Sequence, residues 1–199
     1  GVDKDPQIED PEIALFWNGL PDNLSKLENV IWAENPANLD DYAWCRGSDG
    51  ISRVWHPGFH EGENFGWAGA PDIVAEYKGK IVLGDLKTSN GPYYSQWPDS
   101  GTPKNEYGKK RSGFMKYQKC QLQLAAYALG LEHTIGIVPE LCMTFVATKE
   151  ISQVFVIQKG TIEKYKNKWR ETVKKYYEVI LPEKKEREIE MLGIDGDIM

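Results

Sequence analysis

Cysteine is scarce and scattered. The three residues, Cys45, Cys120 and Cys142, are odd in number and no two form a C-x-x-C pair. A disulfide framework and a cysteine-only zinc or iron–sulfur site are therefore not expected, and a reducing, intracellular setting fits best. Long apolar runs are missing too. No stretch approaches the roughly 20 residues that span a bilayer, so no membrane partner is expected. The start, Gly1-Val2-Asp3-Lys4-Asp5-Pro6, has neither the basic nor the apolar part of a signal peptide. It also lacks an initiator Met, which reads as a processed chain or a piece of a longer one. A basic excess is absent, since net charge is −6. That argues against a uniformly polyanion-binding surface.

What is present suits one domain over residues 1–199, with an acidic lead-in (1–28) and a charged tail (183–199). Apolar residues make up 41% of the chain and charged residues 27%, enough for a core and too apolar for bulk disorder. The charge is uneven. Residues 1–50 hold 11 acids and 3 bases, whereas 51–199 hold 19 acids and 21 bases. The stretch "PKNEYGKKRSGFMKYQK" (103–119) sets Lys104, Lys109, Lys110, Arg111, Lys116 and Lys119 against Glu106 alone. A local patch of that kind is what polyanion binding needs.

Periodicity predicts short helices at 11–18 and 22–29, a strand at 29–34 and an irregular segment over 35–65. A hairpin follows at 70–77 and 80–88. Residues 89–113 read as a long loop carrying the basic cluster. Leu122, Ala125, Ala126 and Leu129 predict a helix from Lys116 to about Leu131, stopped by Gly130. Strands at 141–148 and 152–158 read as a second hairpin. Thr161 opens an amphipathic helix to Ile180, ended by Pro182, with its lysines on a solvated face. The order predicts an α/β fold with a mixed central β-sheet flanked by helices.

The first hairpin, "GAPDIVAEYKGKIVLGDLKTS" (69–89), carries the chemistry. A two-residue turn at Lys78-Gly79 pairs Tyr77 with Lys80 and sets Asp72 opposite Asp85. A three-residue loop would leave the two acids diagonal. Either way two carboxylates converge, which destabilises a sheet. Asp85 and Lys87 share a face. A divalent cation relieves such repulsion, and hard ions such as Mg²⁺ use one or two carboxylates with water and phosphate oxygens. A lysine alongside can steady a phosphate or a water. Together these suit metal-assisted phosphodiester hydrolysis. The plainer meaning of a D-x-K at a strand end is a surface ion pair.

G-x-x-D, a hairpin and D-x-K-T-S, followed by Gln123 and Tyr127 in "QLQLAAYALG" (121–130), resemble the PD-(D/E)XK nuclease superfamily. Within it the pattern looks most like the RecB-like branch of mitochondrial genome maintenance exonucleases and their phage relatives. The likeness covers roughly residues 29–130. It implies a restriction-endonuclease-like core and a DNA exonuclease acting on single-stranded ends. Asp72, Asp85 and the Leu86 carbonyl would hold Mg²⁺ or Mn²⁺, Lys87 would be the catalytic lysine, and Gln123 and Tyr127 would orient the site. It also implies a cytoplasmic location, in a host cell if the source is viral, or the mitochondrial matrix. A further His or Glu is expected upstream. No His precedes His56, and Glu12 and Glu28 stand in that region outside any motif.

Aromatics in the loops, Trp32, Trp44, Trp55, Trp67 and Tyr107 among them, serve either core packing or base stacking. Tyr93, Tyr94 and Trp97 are the better candidates for nucleic-acid contact, with Lys109, Lys110, Arg111, Lys116 and Lys119 for phosphates. His56 and His60 read as a loop pair rather than zinc ligands, because Pro57 and Gly58 forbid a helix between them. Glu34 is a candidate brace for the site, and Glu76 reads as a solvent-facing acid. Two rival functions remain: a catalytically silent nucleic-acid-binding domain of the same fold, and a structure-specific endonuclease on flapped or branched DNA. No protein partner is legible.

Overall fold

The computed structural model describes residues 11–17, 19–33, 53–58 and 66–192. Two short helices, α1 (Pro11–Trp17) and α2 (Leu20–Leu24), lead into strand β1 (Glu28–Ala33). Strands β2 (Val54–His56) and β3 (Trp67–Gly69) pair with each other. The hairpin is β4 (Ile73–Tyr77) and β5 (Lys80–Thr88), followed by helix α3 (Lys104–Ile135). Strands β6 (Leu141–Ala147) and β7 (Ser152–Gln158) precede α4 (Lys159–Lys175), a π turn at Tyr176–Ile180, and α5 (Leu181–Leu192).

The main sheet has the order β1-β4-β5-β6-β7. All neighbours are antiparallel except β5 and β6, which run parallel with α3 as the connection. The fold is therefore α/β, a mixed five-stranded sheet flanked by helices, compatible with a restriction-endonuclease-like core. Every residue of the central strand β6 is buried. That is why it reads as a nearly unbroken apolar run rather than an alternation. On one face Trp32, Val74, Leu83 and Cys142 pack under Leu124, Ala128 and Leu131 of α3 and Ile162 of α4. On the other, Val82, Met143, Phe145 and Ala147 pack against Leu20 and Leu24 of α2. Among the described residues no helix is long and apolar enough to cross a membrane.

The turn is as short as the sequence suggests. Tyr77 pairs with Lys80, and both Lys78 (φ 52°) and Gly79 (φ 72°) are left-handed. Such two-residue turns match the twist of their strands and favour Asn-Gly. Lys78 bears the cost of a side chain at positive φ. Lys78→Asn is expected to add about 0.5–1 kcal/mol of stability, read as a higher urea midpoint with unchanged slope.

Three boundaries differ from expectation. The basic cluster lies on a helix rather than in a loop, because α3 starts at Lys104 and runs through Gly108, Gly113 and Gly130 to a left-handed cap at Gly136. Gly130 is a contact position rather than a stop, and Gly113 is another. A Cβ at 113 would sit 2.5 Å from the Pro92 carbonyl oxygen, and one at 130 would sit 2.7 Å from Val54. Pro182 does not end the last helical run. A proline in a helix lacks an N–H and clashes one turn back. The widened turn absorbs this, with the Leu181 N–H reaching the Tyr176 carbonyl five residues earlier. The lysine face of α4 is not wholly solvated either: Lys166 is buried, paired with Glu132 and, at 3.0 Å, with Glu163. α2 also stops early, at Leu24, so residues 28 and 29 belong to β1.

Candidate active site

The β4–β5 ladder ends at Ile73↔Gly84, so Asp72 and Asp85 stand one step beyond it, facing each other. Asp72 is fixed by its surroundings. The indole N–H of the fully buried Trp32 donates to the Pro71 carbonyl at 3.1 Å, and the Leu86 N–H donates to Asp72 Oδ2 at 2.6 Å. Trp32 is thus a core residue that anchors the strand carrying Asp72. Leu86 meets Asp72 through its N–H.

Asp85 has no exposed surface. Its Oδ1 accepts from Lys87 Nζ at 2.8 Å, while its buried Oδ2 has no N–H or hydroxyl donor and the Asp72 carboxyl lies within side-chain hydrogen-bonding reach of the group. Burial pushes the carboxyl up to about 6 from 3.8, the Lys87 ammonium opposes this, and the Asp72 carboxylate against it adds to the rise. Burial alone would lower Lys87. The Asp85 carboxylate that it bonds, with Asp72 behind, outweighs that and holds it above the ordinary lysine value. One lysine therefore does not neutralise the pair. Two carboxylates a few ångströms apart repel by about 3 kcal/mol in a partly shielded setting, and an orphan buried oxygen adds a desolvation cost. This donor set fits a hard divalent ion. Among the described residues no third His, Cys, Asp or Glu joins it.

The helix motif lies over the same place. Gln123 Nε2 donates to Tyr127 Oη at 2.6 Å. Burial raises the Tyr127 phenol, and Asp85, Lys87 and Asp72 all act on it electrostatically. Gly69 explains the first letter of G-x-x-D: a Cβ there would lie 2.3 Å from Tyr127 Cε1. The missing side chain is the seat of the ring, and it joins the hairpin motif to the helix motif.

The basic and aromatic candidates divide. Tyr93 is in the core, 6% exposed beside Cys120 and Val146, and its backbone is held by both amide atoms of Gln153. It has no ring face to offer a base, which corrects the stacking expectation. Burial pushes its phenol up to about 12 and the Cys120 thiol up to about 11, Asp85 adding to both. Cys120 and Cys142 are buried free thiols. Tyr94 is half-buried and Trp97 is 47% exposed, with Arg111 over its ring and Phe114 at its edge. Lys110 is paired with Glu106. Lys109 and Lys119 are exposed, and Lys116 Nζ donates to Ser89 Oγ at 3.0 Å.

Other candidates fall elsewhere. His56 stacks on Trp67 and lies near His133, and burial lowers it to about 4 with His133 and Arg170 contributing. Trp55 is 46% exposed and edge-on to His133, and Tyr107 is exposed on α3. Glu12 pairs with Lys149, and Glu28 faces Glu76 at the turn end of β4, away from Asp72. Glu76 accepts from Asn29. Glu34, Trp44, Cys45 and His60 lie outside the described residues. A cleft of about 540 Å³ around Tyr165, between α3 and α4, contains no carboxylate pair.

Two neighbours of the site were not legible. Thr144 sits beside Asp85 in the β5–β6 register, fully buried, its hydroxyl without a partner. Its signal was a lone polar residue inside "LCMTFVA". Ser89 follows Asp85 and Lys87 along one face, and its signal was the final letter of D-x-K-T-S.

No protein-family model matches the chain, and no curated protein matches it. Eleven solved chains match. One, titled "Crystal structure of SSO0001", is 15% identical with a TM-score of 0.32, over 57% of this chain and 45% of that one. This chain thus spans under half of that solved chain, and likeness at this level carries no argument about fold or function.

Proposed function

We propose that the chain is a metal-dependent nuclease of the PD-(D/E)XK type, hydrolysing phosphodiester bonds at single-stranded DNA ends. The supporting observation is Asp85. It is completely buried, shares a site with Asp72, bonds Lys87 through one oxygen and has no N–H or hydroxyl donor for the other. A structural ion pair has no use for a second acid there.

Asp72 and Asp85 would hold Mg²⁺ or Mn²⁺, whose chemistry is to offset phosphoryl charge and acidify a water. Lys87 has three donor protons and gives one to Asp85, so two remain for a phosphate oxygen or the attacking water. Gln123 and Tyr127 hold each other, which leaves the amide oxygen and the phenolic proton to orient the scissile group. The water attacks phosphorus and gives up a proton, the phosphorus–oxygen ester bond breaks, and the leaving alkoxide takes up a proton, so one water yields a phosphomonoester and an alcohol.

A catalytically silent binding domain is the second reading. The two-carboxylate site, without a third acid or His among the described residues, favours it. Labelled single-stranded DNA separates the two. Cleavage with Mn²⁺ that stops on chelation is the expected result, and a closed single-stranded circle should survive. Binding without chelator-sensitive cleavage would establish the silent domain, and cutting of the circle would establish an endonuclease.

A further inference from the structure

The basic cluster of the sequence becomes two different surfaces once it is wound into α3. Residues three, four and seven apart share a face of a helix. Lys109, Ser112, Lys116 and Gln123 follow that spacing, so one stripe runs to the Gln–Tyr pair. Lys110 and Arg111 turn elsewhere, to Glu106 and to the Trp97 ring.

Lys109, Ser112 and Lys116 of this stripe form one wall of a groove of about 470 Å³. The opposite wall is the segment after β5, with Asn90 and Tyr94, and Glu150 also lines the groove. Gly113 lets that segment lie directly on the helix, since a Cβ there would meet the Pro92 oxygen at 2.5 Å. The groove begins where the site ends. Ser89 is two residues beyond Lys87 on the same strand face, and its Oγ is held by Lys116. Lys116 also lies over the Tyr93 ring, which itself feels Asp85.

The geometry points to this groove as the track of the substrate's sugar–phosphate backbone next to the scissile phosphate, with Lys116 and Lys109 each taking one phosphate of a single strand. It rests on the nuclease reading for the identity of the adjacent site. The two lysines are seven residues apart, about 10 Å along the helix, or about three stacked nucleotides at 3.4 Å each. The groove offers amide, hydroxyl and ammonium groups to a backbone, and a wall made by one helix and one peptide segment suits one strand rather than two. Glu150 is the one acid among the lining residues, against two lysines.

The test is fluorescence anisotropy of labelled oligo-dT in chelator over a salt series, with wild-type protein and K109A/K116A. Lys109 and Lys116 are both exposed, and because Lys116 also holds Ser89, urea unfolding of the double variant checks that the fold survives and K109A alone gives the binding effect of the lysine with no such bond. K184A/K185A, on the exposed face of α5, is the control. The double variant should bind about tenfold more weakly. Its salt slope should fall by about 1.4, the value for two single-strand phosphates, while the control stays within twofold of wild type. Unchanged affinity and slope in K109A/K116A, no binding by the wild type, or tighter binding to duplex than to single strand would overturn the assignment. The nuclease reading fails separately: wild-type protein that binds by these lysines but never cleaves with Mn²⁺ keeps the groove and loses the enzyme.

Discussion

Asp85→Asn should abolish cleavage and make the protein more stable. In the folded chain the carboxyl titrates at about 6, against 3.8 as its ordinary value, because burial outweighs the help of Lys87. The folded state therefore holds this proton more tightly than the unfolded one. Between about pH 4 and pH 6 the unfolding free energy must fall as pH rises. Above pH 6 the metal-free fold carries a penalty of about 3 kcal/mol from this group. The amide keeps an acceptor for Lys87 and has no charge to bury. Denaturant unfolding at pH 7 in chelator should show a gain of about 2–3 kcal/mol for Asp85→Asn, vanishing near pH 4. Mn²⁺ should raise wild-type stability and leave the variant unmoved. Lys87→Ala separates the two effects: it also loses cleavage, but it strips Asp85 of its counter-charge and should destabilise. A wild-type rate of cleavage in either variant would remove that residue from the mechanism.

Gly69→Ala should damage the site through a single methyl group. The added Cβ would lie 2.3 Å from Tyr127 Cε1 and 2.9 Å from Cδ1. No rotamer adjustment by alanine can avoid that, so the ring must shift, which strains its 2.6 Å bond from Gln123. Overpacking of this kind costs about 1–3 kcal/mol, and misplacing an orienting group by about 1 Å can cost a hundredfold in rate. Cleavage should fall by about 10–100-fold at saturating DNA, with a lower urea midpoint. Tyr127→Ala provides the control. In its background Gly69→Ala has nothing to strike, so its stability cost should largely vanish. Equal costs in the two backgrounds would show that Gly69 is not the seat of the ring.

The hairpin is decided by local physics, and its residues announce it. The Lys-Gly turn fixed the hairpin register, and register alone brought Asp72 to Asp85 and Lys87. The hairpin half of the site was legible for that reason, whereas Gln123 and Tyr127 entered only through the family resemblance. What failed was decided by packing across the fold. Gly130 looks like a helix stop in isolation. It is a glycine because Val54 presses against the helix there, as Pro92 does at Gly113, and the stripe of Lys109, Ser112 and Lys116 exists only because α3 begins at Lys104, inside a stretch whose composition reads as loop. Pro182 looks like a terminator until a widened turn removes its clash. Tyr93 reads as an exposed loop aromatic, yet Gln153 on β7 pins its backbone and turns the ring inward. Lys166 reads as surface charge, and its burial depends on Glu132 of another helix.

The most direct measurement is a crystal of the protein soaked in Mn²⁺, with anomalous scattering used to locate the ion. The expected result is a peak between the carboxylates of Asp72 and Asp85, touching the oxygen of Asp85 that Lys87 does not hold. No ion there at a Mn²⁺ concentration that supports cleavage, or one bound at other residues, would contradict the shared-ion site.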